Sequence, residues 1–154
     1  MKQIIKQQDG LGLVEVIAAL GISVVVITSL LSLTLFSLRT SLQSTLLMEG
    51  TKAANTQMEL LRAYRDGSVW VDFVSAVTGC APPSGCYVTM PTLGVVKPGQ
   101  KVTMAGATAI STRFFTTAEP GNMVIHVTVQ SDWDIGGQNK KTFVYSDLTN
   151  WQQK

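Results

Sequence analysis

Charge is what this 154-residue sequence has least of. Lys, Arg, Asp and Glu together make up 14% of it, against roughly 25% in an ordinary soluble domain, while the hydrophobic share of 45% is unexceptional. Twelve Lys and Arg stand against ten Asp and Glu. Lys97, Lys101, Arg113, Lys140 and Lys141 are scattered, so the basic patch that nucleic-acid binding demands is missing. Low charge with substantial hydrophobicity also excludes a disordered chain. A single histidine excludes a multi-His metal site, and two cysteines exclude a disulfide-dense scaffold. No proline precedes Pro82, so the first part of the chain lacks the strongest helix breaker. At this length one ordinary domain is the default.

The charge deficit is local. Val16 to Leu38, VIAALGISVVVITSLLSLTLFSL, is a run of 23 residues without a charge, and about 20 apolar residues suffice for a helix to cross a bilayer. Its Ser and Thr hydroxyls can bond back to the preceding turn and so do not forbid lipid. A buried core helix seldom runs this long without a polar stripe. A cleavable secretory signal has an apolar region of roughly 7–15 residues before its small-residue cleavage site. Ala18, Ala19 and Gly21 supply small residues, yet the apolar run continues far beyond them. With no Cys near the run, a lipoprotein anchor is excluded. Lys2 and Lys6 in the leader MKQIIKQQDG outnumber Asp9, which holds that side in the cytoplasm and places the chain beyond Leu38 outside. Arg39 works weakly against this orientation. Glu15 stands inside the apolar block, between Val14 and Val16. A carboxylate at mid-membrane costs roughly 2.5–3.5 kcal/mol on translocon scales, and less near the end of a span. Glu15 is therefore either tolerated at the headgroup level or awaits a cationic partner.

Gly10-Leu11-Gly12-Leu13-Val14-Glu15, leading into that apolar run, resembles the class III signal of type IV prepilins and pseudopilins. The resemblance implies that a membrane aspartyl protease, the prepilin peptidase, cuts after Gly10 and methylates the new amine of Leu11. Glu15 is then the fifth residue of the mature chain and pairs with the N-terminal amine of a neighbouring subunit. An unpartnered buried charge is heavily penalised, so such a pair favours one axial register. Leu11 stands where the family usually has Phe, Gly12 where it has Thr or Ser, and Ser32 lies in a helix that carries Pro in many major pilins. These departures lean towards a minor pilin or a pseudopilin. More loosely, Ala53-Ala54 through Met58 to Trp70 is similar to the end of the first helix in small pilin-like proteins, and Leu148-Thr149-Asn150-Trp151 to their last residues. The implied organisation is a leader over 1–10, a transmembrane and polymerisation helix over 11–38, its amphipathic extension over 39–66, and an extracytoplasmic head over 67–154. The implied partners are other pilin subunits in a helical filament, the prepilin peptidase, an inner-membrane assembly platform, and membrane lipid before assembly. The chain would sit first in the cytoplasmic membrane and then in a cell-surface filament. Two alternatives stand beside a pilus subunit: a pseudopilin of type II secretion or DNA uptake, and an uncleaved bitopic membrane protein with an extracytoplasmic binding head.

From Arg39 to Asp66 the sequence continues as helix. Leu47, Ala54, Met58 and Leu61 are spaced to share one face, which predicts the side packed under the head. Glu49, Lys52, Glu59, Arg62 and Asp66 mark another, with Glu59–Arg62 and Arg62–Asp66 at pairing distance. Gly67-Ser68 predicts the helix end, Gly being favoured there for its left-handed conformation. One helix from Leu11 to Asp66 would be roughly 84 Å long. Beyond it, Ser68 to Thr78 predicts a short helix or strand around Val69-Trp70-Val71. Met123, Ile125, Val127, Val129 and Trp133 alternate with polar residues as a half-buried strand. Asp134 to Asn139 reads as a turn, Lys141 to Leu148 as the partner strand, Thr108 to Thr117 as a third strand and Tyr87 to Met90 as a fourth. The expected fold is α+β: a long N-terminal helix packed on a small antiparallel sheet.

Cys80 and Cys86 flank Ala-Pro-Pro-Ser-Gly, a tight-turn composition, and outside the cytoplasm they are expected to form a disulfide. On the chain-entropy model such a closure contributes roughly 2–3 kcal/mol; the alternative is two free thiols. Asp132-Trp-Asp134-Ile-Gly136 faintly resembles the start of a calcium loop but lacks the closing Glu, so a strand end running into a turn is the expectation. His126 is expected as a solvated strand residue. No motif assembles a catalytic set, so no enzyme activity, metal or cofactor is expected.

Overall fold

The computed structural model describes residues 9–96 and 110–151, with side chains from residue 12 onward in the first helix. Residues 1–8 of the expected leader and the start of the strand expected at Thr108 lie outside the described residues. Seven elements succeed one another: α1 (Asp9–Gly67), α2 (Trp70–Val77), β1 (Tyr87–Thr89), β2 (Gly94–Val96), β3 (Ser111–Ala118), β4 (Val124–Ile135) and β5 (Gln138–Thr149). The fold is α+β, a long N-terminal helix with a small antiparallel sheet. The chain divides into two compact units between Leu42 and Gln43.

The first unit is helical wherever it is described. With no proline and no Asn or Asp from Gly10 onward to compete for the backbone, nothing in it ends the helix.

The second unit holds the core. Here α1 buries Leu46, Ala53, Ala54, Gln57, Met58 and Leu61, a stripe with steps of three and four that faces the sheet. Ala54, Met58 and Leu61 are buried as expected, but at the start of the stripe Leu46 is buried and Leu47 is 50% exposed. Against the stripe pack Phe73 and Val77 of α2, Val88 of β1, Phe114 of β3, Ile125, Val127 and Val129 of β4, and Leu148 of β5. A second cluster joins Leu46, Ala53, Ile110 and Trp133. Trp133 lies against Gly50, where a Cβ would stand 2.5 Å from its ring. Gly50 is therefore the residue that lets the ring reach the helix.

Gly67 ends α1 without the left-handed conformation expected of it, for it is not among the positive-φ glycines. The chain turns through Ser68, whose N–H donates to the Arg65 carbonyl at 3.2 Å. The ambiguous stretch after it is helical, with Phe73 and Val77 inward. The main sheet has the order β3-β4-β5, all antiparallel. Its hairpin is tighter than expected: β4 runs to Ile135 and β5 starts at Gln138, leaving Gly136-Gly137 as the turn, with φ of 55° and 78°. Two consecutive positive φ values suit the turn that matches strand twist, and they select glycine. The predicted fourth strand is β1, and it pairs with β2, a strand that no pattern in the sequence marks.

Candidate functional site

The first unit is a rod of exposed apolar side chains. Leu13, Val16, Leu20, Val25, Leu31 and Phe36 are each more than half exposed, and every described side chain of this unit is exposed. It is the one helix among the described residues long and apolar enough to cross a membrane. Six of its hydroxyls are satisfied within the helix. Ser23, Thr28, Ser29, Ser32, Thr34 and Thr40 each donate to a carbonyl one turn back, at 2.7–3.0 Å. A hydroxyl bonded to its own helix loses little on transfer out of water.

Gly10 and Leu11, the residues of the expected cleavage junction, lie within α1. Glu15 is one helical turn beyond Leu11 and is exposed. No ion pair among the described residues includes it.

In the second unit the expected disulfide is present: Cys80 and Cys86 are bonded, with Cα atoms 5.2 Å apart and both residues buried. The loop they close is held along β3. Cys86 exchanges backbone hydrogen bonds with Phe114 at 2.9 and 2.7 Å, and the Thr116 N–H donates to the Cys80 carbonyl at 2.9 Å. Arg113 straps the loop to the sheet, donating to the Pro83 carbonyl at 3.2 Å and to the Asp132 carboxylate at 2.9 Å. Asp132, expected at a strand end running into a turn, lies within β4, buried and ion-paired. Asp134 is exposed and accepts from Asn139 at 3.5 Å. No three His, Cys, Asp or Glu side chains among the described residues converge as a metal site.

His126 faces solvent, as its strand parity predicts, but it is not alone. Its ring nitrogens lie 2.7 Å from Asp147 and 3.2 Å from Glu119. The hydrogen bond to Asp147 holds the imidazole pKa above its ordinary value, opposed by slight desolvation and helped by the charges of Asp147 and Glu119. Arg62 pairs with Glu59 at 2.6 Å as expected, but its other donor goes to Ser146 at 3.0 Å rather than to Asp66. Asp66 is bound by Arg65 at 2.8 Å, which lowers its pKa, with the Trp151 indole adding to the effect.

Two features of this unit were not expected from the sequence. Gln57, a polar residue on the buried stripe, donates to the Val88 carbonyl at 3.3 Å and accepts from the Val88 N–H at 3.0 Å, so its amide serves β1 as a strand neighbour would. On α1 beside the buried stripe, Leu47 and Met48 form an exposed apolar patch, 50% and 71% exposed. The signal was present in both cases, as an apolar pair displaced by one position and a glutamine at core spacing. Compared with family models, characterised proteins and solved structures, the chain finds no match.

Proposed function

We propose that this chain is a structural subunit, a minor pilin, of a type IV pilus-like filament, made as a precursor, cut after Gly10, methylated on the Leu11 amine and polymerised through its apolar helix. The observation that carries the reading is the pairing of opposites in α1. An apolar stretch with all its described side chains exposed carries a carboxylate, Glu15, at its start, in no ion pair among the described residues, while the second unit has core clusters of its own.

Bilayer lipid satisfies the exposed apolar surface before assembly, and the same helix of neighbouring copies satisfies it afterwards. Cutting at Gly10–Leu11 leaves a cationic amine and free backbone N–H groups at the new helix start, a positive centre that favours a nearby carboxylate. In a low-dielectric bundle the attraction between the amine of one copy and Glu15 of the next is far stronger than in water. The disulfide supports placing the second unit outside the cytoplasm, where such bonds persist.

The test is the N-terminal sequence and intact mass of the protein from cells. The expected form begins at a methylated Leu11, and Gly10→Lys should leave the precursor uncut. A filament form that begins at Met1 would overturn the reading. Glu15→Val should keep insertion and cleavage but lower the ratio of filament-incorporated to membrane-retained protein, with Glu15→Asp intermediate.

A further inference from the structure

The two edges of the main sheet are finished differently. In an antiparallel ladder, successive residues point their backbone groups alternately to one neighbour and the other. On β3, Phe114 and Thr116 face away from β4, and the disulfide loop meets both of them through Cys86 and Cys80. On β5, the bond from the Asn150 N–H to the Met123 carbonyl continues the β4–β5 register and fixes its phase. Even-numbered residues of β5 face β4, and Asn139, Lys141, Phe143, Tyr145 and Asp147 turn their backbone groups outward. Among the described residues, these outward groups have no backbone partner.

This open edge is long and regular. β5 pairs with β4 over twelve consecutive residues, without proline or bulge. Phe143 and Tyr145 stand on the outer face, 44% and 71% exposed, with rings stacked 6.3 Å apart. Lysines on an edge ordinarily discourage pairing. Here, however, Lys141 lies near one end of the strand and Asp147, one of whose oxygens is 2.7 Å from the His126 ring, near the other; a carboxylate accepts several hydrogen bonds, so the strand is complementary to its own reverse.

We propose that β5 pairs antiparallel with β5 of a second copy of this chain, about a two-fold axis at Val144, joining two three-stranded sheets into one of six. The register is set by the phase, because outward-facing residues must meet outward-facing residues. Centring the pair on Phe143 sets Lys141 against Tyr145, and centring it on Tyr145 sets Asp147 against Phe143. The register between them sets Lys141 against Asp147 twice and Phe143 against Tyr145 twice. Opposed charges and aromatic pairs stabilise cross-strand neighbours, whereas like charges destabilise them. On the other face Thr142 meets Ser146 and Val144 meets its own copy. The contact is isologous and reverses one strand against the other. It therefore differs from a contact that repeats in one direction along a filament, and it couples chains laterally.

The two Val144 residues form a non-hydrogen-bonded pair, with Cα atoms about 4.5 Å apart, within disulfide reach. For the purified full-length chain in detergent micelles, mild oxidation of Val144→Cys should give a covalent dimer, while Ser75→Cys, on an exposed position of α2, should not. Adding Lys141→Glu should slow cross-linking about tenfold, since both ion pairs become repulsions. Asp147→Lys alone should slow it likewise, and the swap Lys141→Asp with Asp147→Lys should restore it. Should Val144→Cys fail to fold, sedimentation equilibrium makes the same comparison: a wild-type dimer against a Lys141→Glu monomer at equal concentration. Cross-linking of Val144→Cys no faster than Ser75→Cys, a swap no better than Asp147→Lys alone, or a monomeric wild type overturns the pairing.

Discussion

Helix α1 before and after Leu42 is one element with two fates. Up to Leu42 every described side chain is exposed, Leu and Val included. Beyond it, Leu46, Ala53, Met58 and Leu61 are buried to within a few per cent. The backbone is the same, so the difference lies in what each stretch carries on its other faces. From Gln43 onward Glu49, Lys52, Glu59, Arg62, Arg65 and Asp66 give the helix a side for water, and one apolar stripe is enough to seat it on a sheet. From Val16 to Leu38 there is no such side, and a helix that is apolar all round needs a surrounding that is not water.

The comparison can be broken from either half. Its largest effect should come from the core: Phe114→Ala empties a fully buried site and should cost about 3–5 kcal/mol, read by chemical denaturation in detergent, with membrane retention unchanged. The mirror experiment is Val25→Lys. It should cost about 3 kcal/mol of insertion, read as loss of protein from alkali-washed membranes, while the unfolding midpoint of the second unit stays put. If Val25→Lys lowers that midpoint as Phe114→Ala does, the two halves are not energetically separate. Gly50→Ala should cost about 1–3 kcal/mol by driving the Trp133 ring off the helix, and Trp133→Leu in the same chain should recover part of it. The smallest effect concerns His126. Because its folded pKa is raised, its ion pairs contribute fully below the ordinary value of 6.5 and fade as pH rises through the folded one. The thermal midpoint should drop slightly from about pH 5 to about pH 8, and His126→Asn should flatten that slope.

What could be read from the residues was whatever repeats locally. The proline-free helix, the alternation from Met123 to Trp133, the returning strand after a glycine-rich turn and the closeness of Cys80 to Cys86 all sit within a few residues of their causes. What could not be read depends on a partner far along the chain. Leu46 and Leu47 are equal as residues; the position of Ile110 and Trp133 decides which is buried. Gln57 is acceptable in a core because the Val88 backbone, 31 residues away, uses both ends of its amide. Asp132 is buried because Arg113 comes from the neighbouring strand. The strand β2 is Gly94-Val95-Val96, short like β1 and opened by a glycine, a residue depleted in strands; its pairing with β1 is what makes it one. Of the candidate site, Glu15 was visible because it interrupts an apolar block, and an interruption needs no distant partner; the expected junction at Gly10–Leu11 rested on the resemblance alone.

The back-bonded hydroxyls of α1 bear on register as well as solubility. Ser23, Thr28, Ser29, Ser32, Thr34 and Thr40 have their donors committed to their own carbonyls, so what the rod offers a neighbour along most of its length is carbon. Polar contacts of these hydroxyls therefore do not fix the register of this stretch against whatever surrounds it; side-chain shape does, through ridges that seat in grooves, and in the proposed filament Glu15 would add the one charge to that choice.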